Sequence, residues 1–188
     1  MSESAVRRGS RLAILFAGAA CAGAGVAASG ARDLSIRTCT TSQLKIRLVS
    51  SGVAAGTVGG YIGFTNRANA PCRLVGWPTL VLLTRAGAAS TAVRVRSTMF
   101  GPSLTGKGVP VVTLAHGGRA DAAFTGADNP RPGETRCLLP YRYLRVTPPG
   151  NSRSVLISAW IPSYGHYLPA CTRIEVSLLV PGSKLHGG

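Results

Sequence analysis

The stretch "GFTNRANAPCRLVGWPTLVLL", residues 63–83, decides how this chain is read. Gly63 to Asn66 ends one alternating segment, Arg67 to Pro71 is a polar turn, and TLVLLT (79–84) is a short apolar run. Apolar runs of this length between turn-forming residues read as strands. Trp77 precedes Pro78, whose ring disfavours the helical region for the residue before it and pushes Trp77 toward extended backbone. The Trp77 ring is expected to cover one end of a core, with ligand stacking as the alternative. Cys72 stands in the middle with three roles open to it: reactive thiol, metal ligand or staple.

The flanking sequence repeats the strand signal. QLKIRLV (43–49) sets Leu44, Ile46 and Leu48 against Lys45 and Arg47, the period-two pattern of a half-buried strand. TVGGYIGFTN (57–66) adds glycines that point to a bulge or a close approach. TAVRVR (91–96), VPVVTLA (109–115), RADAAFT (119–125), RYLRVT (142–147), SVLISAWI (154–161) and RIEVSLLV (173–180) continue the series, with Gly/Pro/Asn clusters between them. Eight or nine short strands with such punctuation predict an all-β protein, an antiparallel immunoglobulin-like β-sandwich.

The N-terminal residues have a different design. Arg7, Arg8 and Arg11 precede an apolar Leu12–Ala20, and a small-residue tract offers cleavage after Ala28 or Ala31. That layout reads as a secretory signal peptide over residues 1–31. The remaining 32–188 form one secreted or extracytoplasmic domain, with no transmembrane span expected in the mature protein. The apolar core of the leader is too short to favour an uncleaved anchor. Lipidation at Cys21, which would make a lipoprotein, is a secondary reading, because Gly18-Ala19-Ala20 lacks the usual Leu-like residue. A twin-arginine signal is weaker still.

Loss of the leader removes Cys21 and leaves Cys39, Cys72, Cys137 and Cys171. An even count in an oxidising compartment reads as two disulfides. Four cysteines allow three pairings; separations of 33, 65 and 34 residues favour Cys39–Cys72 with Cys137–Cys171. Zinc sites draw on close pairs such as C-x-x-C, and none occurs, so no metal site and no cofactor are expected.

From Arg32 onward, eighteen Lys/Arg minus five Asp/Glu leave a net charge of +13. A field of this size draws a protein to anionic polymers. The candidate contacts are Arg94, Arg96, Lys107 and Arg119, with Arg142 and Arg145 as a second group. Arg94 and Arg96 are two apart and would share a sheet face. The expected partner is an anionic cell-envelope polymer or an envelope protein, with nucleic acid disfavoured. The rival reading spreads the charge over all faces of a structural envelope protein that has no dedicated ligand.

Catalysis is not expected. No G-x-S-x-G elbow accompanies the serines, and five acids leave little to orient a histidine. Asp121 and Glu175 fall on outward strand positions, where solvated or cross-strand ion-pair roles are expected. GPSLTGKG (101–108) resembles a phosphate loop in flavour only, since the strand-to-helix context is missing; it reads as a long loop. A cryptic hydrolase would need His116 or His166 in a deep pocket beside a carboxylate.

The ordered set of Cys39, G-F-T-N (63–66), P-C-R-L-V-G-W-P (71–78), V-T-L-A-H-G-G-R-A (112–120), Cys137, L-R-V-T-P-P-G (144–150) and Cys171 resembles an actinobacterial exported family, domain of unknown function 4232 (DUF4232). The resemblance covers about residues 38–180. It implies a β-sandwich found in secreted proteins and lipoproteins, and it implies no reaction. His116-Gly117 stands where the family tends to have Pro-Gly, and Thr125-Gly126 where an aromatic is common.

Overall fold

A computed structural model describes residues 35–101, 104, 106, 108–130, 140–171 and 174–182, all within one unit that begins at Ser35. The leader expected over 1–31, Lys107 and Cys137 lie outside the described residues. A 3-10 turn (Thr41–Gln43) leads into β1 (Leu44–Ala54), β2 (Thr57–Asn66), β3 (Cys72–Val75), β4 (Thr79–Thr84), β5 (Ala89–Thr91) and β6 (Val93–Arg94). Then follow β7 (Val111–Leu114), β8 (Arg119–Ala127), β9 (Tyr141–Thr147), β10 (Val155–Ser158), β11 (Trp160–Ile161), β12 (His166–Tyr167), β13 (Ile174–Val176) and β14 (Val180–Pro181).

The first sheet runs β1-β2-β8-β13-β6, with β14 also on β8; the second runs β10-β9-β4-β5. Two small ribbons, β3-β7 and β11-β12, complete the described set. The pairings are antiparallel except β6 with β13, which is parallel and departs from the all-antiparallel expectation. Both main sheets contribute to one core: Ile46, Ile62, Phe64 and Phe124 from the first, Leu80, Leu82, Leu144 and Val146 from the second. The result is a β-sandwich-like, mostly antiparallel all-β fold.

β1 runs five residues past the expected 43–49, to Ala54. Its second half is held by the ladder to β2, with Ser51 opposite Gly60 and Gly52 opposite Gly59. The turn lies at Ala55-Gly56, both at positive φ (49° and 79°). Such a two-residue loop matches the twist of the strands it joins. The glycines of β2 do serve close approach. A Cβ on Gly59 would overlap the Phe100 ring, and one on Gly63 would overlap Val49.

Elsewhere the expected strands are cut. Residues 154–161 divide at Ala159 into β10 and β11: the Ala159 N–H still donates to the Arg142 carbonyl on β9 (3.0 Å), while its carbonyl accepts from the Leu168 N–H (3.0 Å) and the chain goes on to pair with β12. Residues 173–180 divide between β13 and β14, which both pair with β8, after Ser177 turns its hydroxyl to accept from the Ala123 N–H (2.9 Å). β3, which the sequence reading left unassigned, is a strand because Cys72–Val75 pairs with Val111–Leu114.

Cys39 and Cys72 form a disulfide with Cα atoms 4.9 Å apart. Beside it the Cys39 N–H donates to the Arg73 carbonyl (3.0 Å) and the Arg73 N–H to the Arg37 carbonyl (2.9 Å). Cys171 is buried and has a partner; the expected Cys137–Cys171 pair involves a residue outside the description. Trp77 is half-buried, and its indole N–H donates to the Val95 carbonyl at 2.6 Å. That bond fixes the ring against the segment that follows β6.

Candidate functional site

The expected cation set is dispersed. Arg94 is exposed at the end of β6 and donates to the Thr79 hydroxyl (2.8 Å). Arg96 lies beyond the end of that strand, so the two do not share a strand face as expected; β6 ends at Arg94. The Arg96 guanidinium donates to the Gly106 and Gly108 carbonyls (2.8 and 3.1 Å). Arg119, on central strand β8, pairs with Asp121 (Nε to Oδ1, 3.0 Å).

Asp121 corrects a second expectation, since it is wholly buried rather than outward and solvated. β8 is flanked by β2 on one side and by β13 and β14 on the other. Gly63 and Gly182 press against the carboxylate where larger residues would leave no room. A buried carboxylate is tolerated when a charge partner accompanies it, which makes the Arg119 guanidinium a structural group. Glu175 is half-buried on β13.

Arg142 and Arg145 lie on β9, where Tyr143 faces Leu83 and Tyr141 faces Thr84, leaving Arg142 as the extra residue of a bulge. The bulge shifts the alternation, so Tyr141, Leu144 and Val146 are all buried while Tyr143 and Arg145 are exposed. Arg142 turns onto the Tyr167 ring, 4.4 Å from its centroid. Arg145 keeps its charge in solvent.

A second feature, missed in the sequence, lies where the sheets meet. β1 is an edge of the first sheet and β10 an edge of the second. Between them runs a groove of about 540 Å3, with Arg47, Ser50 and Ser51 on one side and Ser158, Trp160 and Ser163 on the other. The β1 wall carries a bulge between Leu48 and Ser50, and Ser163 donates across the groove to the Ser51 carbonyl (3.2 Å). Trp160 is 43% exposed. Its ring stands edge-on to Tyr167, its partner across the β11-β12 ribbon, with centroids 5.1 Å apart. Arg142 over Tyr167 and Tyr167 edge-to-face with Trp160 thus form a chain of contacts that holds the indole in place.

The sequence did contain a signal for Trp160. In SVLISAWI the apolar Ile157, Ala159 and Ile161 alternate with Leu156, Ser158 and Trp160, which places the indole outward, and exposure follows that parity. No sequence signal brings Arg47 opposite it, because 113 residues separate them.

His116 and His166 are both exposed. His116 Nδ1 lies 3.2 Å from the Ala68 carbonyl, and the His166 ring is 5.3 Å from that of Tyr164. No cluster of three metal-ligating side chains occurs among the described residues.

Fold and surface together define a class: a disulfide-stapled, β-sandwich-like domain with a cation-rich exterior and an aromatic-walled groove. A family model described as a domain of unknown function (DUF4232) matches residues 39–177, and the chain belongs to that family. No curated protein and no solved structure matches it.

Proposed function

We propose that this protein is a non-catalytic extracytoplasmic binding module for an anionic polymer of the cell envelope. One observation carries the reading: the charge is sorted by depth. Of the twelve described Lys and Arg residues nine are exposed, whereas Asp121 is buried and Asp128 and Glu175 are half-buried. The exterior therefore presents cations with few acids between them, and such a surface attracts polyanions in a salt-sensitive way. The test is binding of the full chain to long-chain polyphosphate and to a uronic-acid polymer at low and high salt. Affinity is expected to fall steeply as salt rises. Equal affinity at both ends of the range overturns the reading in favour of a purely structural envelope protein.

The finer features of the fold belong to the same reading. An immunoglobulin-like topology is supported by the way the chain passes from the first sheet to the second and back twice, at β4-β5 and at β9-β10. A second disulfide, Cys137–Cys171, suits a chain exported to an oxidising compartment. Peptide mapping without reduction is expected to recover it beside Cys39–Cys72, and alkylation of Cys137 in the unreduced protein would overturn it. No helix among the described residues is long and apolar enough to cross a membrane.

A further inference from the structure

We propose that the groove between β1 and β10 is a subsite for an acidic saccharide, with one pyranose ring against Trp160 and its carboxylate on Arg47. The inference rests on the anionic-partner reading above and gives it a place and a ligand class. The groove, at about 540 Å3, lies within the range of small-ligand sites, about 300–1,000 Å3.

Three observations select the occupant. Trp160 is exposed yet held in orientation by Tyr167 and Arg142, so stacking against it costs little ordering. The electron-rich face of an indole attracts the C–H groups of a sugar ring, as aromatic faces attract positive edges. Serine hydroxyls line both walls, which suits a ligand rich in hydroxyls: Ser50 and Ser51 can donate as well as accept, and Ser163, whose proton goes to the Ser51 carbonyl, can accept. The Arg47 guanidinium is exposed and engages no group among the described residues; it can take a carboxylate through two parallel N–H donors.

The same walls disfavour an extended peptide. Strand addition needs an uninterrupted row of edge donors and acceptors. The β1 wall is bulged between Leu48 and Ser50, which breaks the row inside the groove, and Ser163 already occupies the Ser51 carbonyl.

The experiment is calorimetric titration of the full chain with trigalacturonic acid, with maltotriose as neutral counterpart and long-chain polyphosphate as a polyanion without sugar rings. Trp160→Ala and Arg47→Gln are each expected to weaken trigalacturonate by about tenfold or more. Trp160→Tyr is expected to retain most of the affinity, which separates stacking from damage to the fold. Polyphosphate binding is expected to change less than twofold in Trp160→Ala. In 15N-labelled protein, trigalacturonate is expected to shift the amides of residues 47–51 and 158–163. Unchanged trigalacturonate affinity in Trp160→Ala, maltotriose binding as tight as trigalacturonate, or tighter competition by an acidic peptide each overturns the groove assignment. A protein that binds polyphosphate but not trigalacturonate also overturns it and leaves the broader reading standing. Failure to bind either polyanion removes the broader reading first.

Discussion

Tyr141 opens β9 with its side chain in the core, 1% exposed. Burial there disfavours the phenolate and raises its pKa above the ordinary 10.0, outweighing the opposite pull of Ser90. Above about pH 10 the unfolded chain loses this proton before the folded one does, so the folded state binds more protons. The contribution is therefore intact below pH 10 and is lost as pH rises, at up to about 1.4 kcal/mol per pH unit, until the folded phenol ionises too. Tyr141→Phe is expected to flatten this limb in urea unfolding measured from pH 9 to 11.5. An unchanged slope would show that Tyr141 does not drive it. Residues like this one are hard to read in a sequence. RYLRVT alternates well, but the bulge at Arg142 moves Tyr141 to the inner side. Asp121 deceived for a related reason: parity put it outward on β8, yet that outer face is covered from both sides.

The β1-β2 hairpin and the disulfide show what elements add. The hairpin supplies the long edge strand on which the groove depends; residues 50–54 carry no apolar alternation and are strand because β2 pairs with them. β3 went unread because four residues are too few for a pattern, and only β7 makes them a strand. The Cys39–Cys72 bond closes a loop of 33 residues and ties the segment before β1 to β3. Closing such a loop stabilises by about 3–4 kcal/mol through the unfolded chain. The double variant Cys39→Ser, Cys72→Ser is expected to lose about that much in urea unfolding while keeping its circular dichroism. A loss below about 1 kcal/mol would mean that the neighbouring Cys39–Arg73 and Arg73–Arg37 backbone bonds already close the loop.

At the scale of the whole molecule, charge and fold are separable. The chain carries +15 in total, and the fold hides or half-hides the described acids while leaving most of the described cations in water. If three or more of those cations meet a polyanion together, log affinity against log salt is expected to fall with a slope steeper than about −2. A shallow slope would confine recognition to one or two residues, as in the groove. Much was legible without coordinates. Period-two alternation marked the strands, spacing chose the Cys39–Cys72 pair, and the count of basic residues set the net charge. Those are properties of local pattern and composition, and they survive any arrangement of the strands. The tertiary structure alone decided which arginines are spent inside the fold, with Arg119 on Asp121, Arg96 on loop carbonyls and Arg142 on Tyr167. It also set Arg47 across from Trp160. Such pairings join residues far apart in the chain, and their energies depend on burial and distance, which exist only once the sheets have packed.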